Sequence, residues 1–263
     1  MSAPARLLVL LVRTACVAAA LAATAIAARA DDAARLVDAM KAARASEGFE
    51  LRFTATRVPG PAGGEPAEPA RIAVIGQLGG PVEHLLARAI APAALRDDEV
   101  LVEQAEGVLH ARARAAAHPE AAADVDPGAR LFGTALAAWD LMTPWWQWPD
   151  QQVLGSDEVD GHACIELRSR QHASDDAAVA EVRSCVDARE GLAWRVRLFD
   201  RRHRLVRTIV VERAMRTQAG TSTAKRALVT RADGGATRIE VYGGDEHHLV
   251  GPDTFVLATR AGR

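Results

Sequence analysis

The chain has 263 residues, of which 49% are hydrophobic, 4% aromatic and 25% charged, with 32 basic and 34 acidic side chains and a formal net charge of −2. Taking away residues 1–30 removes three arginines and no acids, which leaves 29 basic and 34 acidic side chains. That acidic balance excludes a general nucleic-acid binder, whose surface has to be basic, and the remaining 233 residues can bury the core of a single all-β or α+β domain.

The first thirty residues read as a cleaved secretory signal peptide. Arg6 and Arg13 precede a small-residue apolar run, Thr14 to Ala28, and Ala28-Arg29-Ala30 forms a cleavage site followed by Asp31 and Asp32. The alternative, an uncleaved membrane anchor, is disfavoured because an alanine-rich core of about fifteen residues is short for a span. Arg13 stands where a lipoprotein signal needs an aliphatic residue, which argues against acylation of Cys16.

From Asp32 to Ser46 an acidic start, helical spacing of Leu36, Val37, Met40 and Ala43, and Gly48 as a stop predict one amphipathic helix. Phe49 to Val58 alternates as a strand, and Pro59 to Pro69 is a Pro- and Gly-rich loop. Ala70 to Leu78, Glu83 to Ala91, Glu99 to Gln104 and Val108 to Arg114 predict four short strands of a meander. The second also fits a helical period, and its neighbours favour the strand. Ala115 to Ala129 is expected to be irregular, and Leu131 to Met142 to be a helix capped at Thr134.

Between Trp139 and Trp148 lie four of the five tryptophans, and Pro144 and Pro149 bracket Trp145, Trp146 and Trp148 on what should be an exposed turn. Tryptophan favours boundaries between wet and apolar regions. The block is therefore read either as the rim of a ligand cavity or membrane contact, or as a plug in the open end of the fold.

Pro149 to Glu212 reads as four consecutive antiparallel strands. Pairing His162–Arg168 with Glu181–Asp187 so that residue numbers sum to 349 sets Cys164 opposite Cys185, Glu166 opposite Arg183, Arg168 opposite Glu181 and His162 opposite Asp187. A structural disulfide between Cys164 and Cys185 follows, since an exported protein meets oxidising conditions, and it contributes about 3 kcal/mol in the chain-entropy model. Leu192–Phe199 and Arg204–Glu212 flank a tight turn, with Trp194, Val196 and Leu198 on one face. Arg195, Arg197, Arg201, Arg202, Arg204 and Arg207 gather around this hairpin, either as a solvated outer face or as a site for an anionic headgroup or acidic partner. Later apolar runs are Ala227–Thr230, Thr237–Tyr242 and Thr254–Leu257, and no internal repeat is visible.

Phe132-Gly133-Thr134, Trp139-Asp140-Leu141, Val153-Leu154-Gly155 and Val159-Asp160-Gly161-His162-Ala163-Cys164 resemble the outer-membrane lipoprotein-sorting protein family. His84-Leu85-Leu86 to Pro92 with Val100-Leu101-Val102 resembles its central strands, and Trp194-Arg195-Val196 to Val206 its late hairpin. The chain departs from the family in its tryptophan block and in lacking an aromatic-rich strand near His110. The resemblance implies an α+β fold of the LolA/LolB type: a strongly curved antiparallel half-barrel closed by a few helices, spanning residues 31–263 as one lipoprotein-carrier-like domain. It also implies an apolar cavity for acyl chains.

The expected function is then a periplasmic lipid- or lipoprotein-binding carrier or chaperone. It is monomeric, with acyl chains as ligand and an inner- or outer-membrane protein as a further partner. The alternative is a periplasmic sensor or adaptor module that binds a membrane transporter or signalling component. Trp139, Trp145, Trp146, Trp148, Trp194 and Leu198 are the expected cavity or rim residues. No nucleophile elbow, HExxH, P-loop or dinucleotide fingerprint is present, so no enzyme, cofactor or metal is expected. Asp245-Glu246-His247-His248 reads as a solvated turn.

Overall fold

A computed structural model describes residues 31–59, 68–119, 121–171 and 178–257. The expected signal peptide over 1–30 lies outside the described residues, as do most of the 59–69 loop and the middle of the 170–180 connection. Helix α1 covers 31–44. Asp31 and Asp32 sit favourably at its positive end and Arg44 at its negative end, while Ala33, Leu36, Val37 and Met40 are buried at i, i+3, i+4 and i+7.

Among the described residues thirteen strands follow: β1 (Ser46–Val58), β2 (Ala70–Leu78), β3 (Val82–Ala91), β4 (Glu99–Ala105), β5 (Val108–Arg114), β6 (Ala122–Val125), β7 (Asp150–Val159), β8 (His162–Arg170), β9 (Glu181–Val186), β10 (Ala193–Phe199), β11 (Leu205–Arg216), β12 (Ser222–Arg231) and β13 (Ala236–Asp245). They form one antiparallel sheet in the order β6-β5-β4-β3-β2-β1-β13-β12-β11-β10-β9-β8-β7. Every ladder joins sequence neighbours except β1–β13, so the two open edges, β6 and β7, are consecutive in the chain. The segment 126–149 between them carries α2 (Ala138–Met142) and a single 3-10 turn, Pro144–Gln147.

Period-two alternation gives the sheet its two faces. One face, with Phe53, Ile72, Val74, Leu85, Val102 and Val229, packs against Leu131, Leu136 and Met142 of the linker. Further along the same segment, Trp145, Trp146 and Trp148 join α1 in covering Leu167, Val182, Val186, Val196 and Leu198. The other face is charged. Arg52 reaches Glu50, Arg226 reaches Glu240, Arg238 reaches Glu212, and the buried Glu181 is held by Arg170 and Arg183. Burial pushes the Glu181 carboxyl up, but the hydrogen bonds and positive charges of these two arginines together hold it below the usual range.

Several sequence expectations are corrected. The β8–β9 ladder pairs Ile165 with Val186, Glu166 with Cys185 and Arg170 with Glu181, a register whose sum is 351 rather than 349. A shift of two residues preserves both faces, so the hydrophobic pattern cannot distinguish the two registers. What favours the observed one is the Arg170–Glu181–Arg183 cluster. Cys164 and Cys185 are then diagonal instead of opposite, yet they form the expected disulfide with Cα atoms 5.4 Å apart. His162 does not face Asp187; its ring stacks on Trp194 at 3.5 Å.

The region from 150 to 212 holds five strands where four were expected, because the polar β7 had no alternation to mark it. Residues 122–125, within the stretch expected to be irregular, form the short edge strand β6. The helix expected over 131–142 forms only over Ala138–Met142. Thr134 closes a turn before it, accepting from the Leu136 amide at 3.1 Å and donating to the Leu131 carbonyl at 2.8 Å, and the true helix start is fixed by Asp140 accepting from the Ala137 amide at 2.8 Å.

Candidate functional site

The linker is fastened to the sheet from end to end. Arg231 donates to the Gly128 carbonyl at 3.0 Å, Arg57 to the Gly133 carbonyl at 2.8 Å, and Thr237 accepts from the Ala135 amide at 2.9 Å. Arg207 on β11 points to the apolar face, since its ladder partner is Leu198; it donates to Asp140 Oδ1 at 3.0 Å and to the Gly128 carbonyl at 3.3 Å. Burial pushes the Asp140 carboxyl up, while the Arg207 charge and the Ala137 amide pull the other way. At its far end, Trp148 donates from Nε1 to the Gly107 carbonyl at 3.2 Å, the Gly107 amide donates to Gln147 at 2.9 Å, and Gln151 of β7 donates to the carbonyls of Trp145 and Trp148 at 2.8 Å. Gly107 has φ of +76°, and a Cβ there would lie 2.9 Å from the Trp148 ring.

Of the six residues expected at a cavity or rim, the fold brings five together. Trp145, Trp146, Trp148 and Leu198 belong to one buried cluster with α1, and Trp139 packs against it, its ring edge-on to Trp148 at 6.0 Å. Trp194 is elsewhere. A bulge in the β9–β10 register between Ala193 and Arg195 sets it with Cys164, Cys185 and Val211 instead of with Val196 and Leu198. The expected exposed turn is also corrected: Trp145 is 0% and Trp148 3% exposed, because the turn is wedged between α1 and β7–β10.

The arginine patch divides. Arg195 pairs with Asp157, Arg197 with Glu166 and Arg204 with Asp200 on the charged face, whereas Arg207 is buried under the linker.

A cleft of about 340 Å³ opens beside the tryptophan cluster, between the last turn of α1, the β2–β3 turn and residues 143–147. Lys41, Arg44, Glu83, Thr143, Trp146 and Gln147 line it. The sequence marked Trp146 but gave no sign of the others, which converge from three separate segments. Among the described residues no helix is long and apolar enough to cross a membrane, and no group of three His, Cys, Asp or Glu side chains could hold a metal ion.

An open antiparallel sheet with one apolar face covered by a helix and a long linker defines the class: this is the fold of the LolA superfamily and of outer membrane lipoprotein-sorting proteins. The chain is similar to a DUF1329 family protein from Desulfovibrio piger (17% identity, TM-score 0.75, covering 88% of this chain and 97% of that one). It is also similar to an outer membrane lipoprotein-sorting protein domain from Vibrio parahaemolyticus (12% identity, TM-score 0.74, 86% and 97%). A third likeness is to a LolA superfamily protein from Nitrosomonas europaea (14% identity, TM-score 0.66, 83% and 94%). No curated protein matches the sequence. The chain belongs to the family whose model, described as "Uncharacterized protein", matches residues 86–245.

Proposed function

We propose that the protein is a periplasmic carrier or chaperone, exported by a signal peptide over residues 1–30. It shelters a lipid tail or the acyl chains of a lipoprotein on the apolar face of a half-barrel and passes them on without covalent chemistry. The observation that carries this reading is that the apolar face is covered by α1 and the 126–149 linker, neither of which belongs to the ladder. The half-barrel is supported by the bond from Trp148 to Gly107. A flat sheet would set β7 and the β4–β5 turn roughly 50 Å apart at strand spacing.

Side chains of α1 and the linker pack against the apolar face, so a ligand reaches that face by displacing them. Detaching α1 re-exposes Leu36, Val37 and Met40, at about 1.5–3 kcal/mol each, or roughly 5–9 kcal/mol together. An acyl chain taking its place gains about 0.8 kcal/mol per methylene, so six to eleven methylenes offset the exchange. Titration of the mature protein with fatty acids, followed by tryptophan fluorescence, should therefore show no binding of octanoate and clear binding of palmitate. Deletion of residues 31–44 should shift the threshold to shorter chains. If palmitate binds no better than octanoate, and native mass spectrometry finds no lipid on protein purified gently from the cell, the carrier reading fails and a protein-binding adaptor is the better account.

A further inference from the structure

We propose that the cleft between the end of α1, the β2–β3 turn and residues 143–147 is a binding site for a phosphate group, as free phosphate or as the phosphate ester of a lipid headgroup. In its headgroup form the inference rests on the carrier reading, because Trp146 belongs both to this cleft and to the apolar cluster beneath α1. Chains attached to a phosphate held here would start at that interior.

The lining carries more donors than the protein uses. Arg44 has five N–H groups, yet its contacts among the described residues are a weak one to Met142 Sδ at 3.9 Å, a position 5.8 Å from the Trp146 ring, and Glu83 at 3.6 Å, which is beyond hydrogen-bond reach. Glu83, 6% exposed, is engaged through its other oxygen, which accepts from the Gly79 amide at 2.9 Å. Burial lowers the Arg44 pKa and Glu83 opposes it, the signature of a guanidinium removed from water without full compensation.

Trp146 is 9% exposed, and its indole N–H has no acceptor among the described residues; the Thr143 hydroxyl is buried and has no partner either. Thr143 holds φ of +50°, a left-handed conformation that costs a β-branched residue energy and that proteins keep mainly where the surroundings impose it. Buried polar groups are almost always satisfied, so several orphans around one opening mark a missing polar occupant.

The charges decide which occupant. Lys41 and Arg44 against Glu83 leave the lining net positive, and Lys41, Arg44, Thr143 and Trp146 offer hydrogens against a single unpartnered acceptor, Glu83 Oε2. An acceptor-rich anion fits, and phosphate, with three or more oxygens, can take donors from several sides. The cleft has room for the phosphate and an adjoining glycerol.

The test compares dioctanoyl phosphatidate, dioctanoylglycerol and inorganic phosphate by isothermal titration with the mature protein and with the variants Lys41→Gln, Arg44→Met and Trp146→Phe. Lys41 is exposed, so Lys41→Gln reports on binding even if the other two unfold. Phosphatidate should bind about tenfold or more tightly than dioctanoylglycerol, and each cationic variant should cut that preference by about tenfold. Equal binding of the two lipids, unchanged in the variants, overturns the phosphate site and leaves the carrier intact. Phosphate binding that the variants weaken, with no added affinity for either lipid, supports the site for the free anion and sinks the carrier. Failure of all three ligands to bind overturns both.

Discussion

Replacing Arg207 with methionine tests whether the linker is tied to the sheet by a desolvated ion pair. The side chains of Arg207 and Asp140 are 6% and 2% exposed and 3.0 Å apart. Methionine keeps the stem but removes the counter-charge and leaves a carboxylate buried, which costs about 3–5 kcal/mol. With a urea slope of about 2 kcal/mol per molar, the unfolding midpoint should fall by roughly 1.5–2.5 M. Adding Asp140→Asn removes the stranded charge while keeping an acceptor for the Ala137 amide, so the double variant should regain most of the loss. Burial already raises the folded-state pKa of Asp140 above its unfolded value of about 4, and the Arg207 charge opposes that rise. An acid with a raised folded pKa binds more protons folded than unfolded, so its contribution is complete below the unfolded pKa and is lost as pH climbs through the folded one. In Arg207→Met that window extends further upward. The variant's deficit should therefore shrink as pH is lowered from 7 towards 4. A single variant costing under about 1 kcal/mol, a double variant as unstable as the single, or a deficit that ignores pH would refute the reasoning.

Two further outcomes are expected. Reducing the Cys164–Cys185 bond, which spans 21 residues, should lower stability by about 3 kcal/mol in urea titrations with and without dithiothreitol; two free thiols in untreated protein would show that the bond does not form. Gly107→Ala should cost about 1–3 kcal/mol by thermal unfolding, since it adds both a left-handed alanine and a clash with Trp148. Gly220→Ala is the control, with φ of +82° and nothing within 4 Å, and should cost only the backbone strain of about 1 kcal/mol. Equal losses would mean that the Gly107–Trp148 contact does not hold the turn against the linker.

Much of the candidate site lay beyond local pattern. Trp145, Trp146 and Trp148 stood out by composition, but whether a tryptophan between two prolines is a wet rim or a plug depends on what α1 and β7–β10 bring against it. The cleft draws Lys41 and Arg44 from the helix, Glu83 from β3 and Thr143 from the linker. No spacing in the chain relates those positions.

By itself the sequence determined most of the strands and their faces, though not β6 or β7, together with the first helix and the cysteine pair, because alternation of period two and helical spacing at Leu36, Val37 and Met40 are local properties that burial then exploits. Only the tertiary structure decided the β8–β9 register, since a two-residue slip leaves the same side chains on the same faces. It also decided the bulge that turns Trp194 away from Val196 and the shortening of the 131–142 helix to five residues. These outcomes turn on partners such as Arg207 for Asp140 and Arg183 for Glu181, which meet only when distant strands of one sheet are laid side by side.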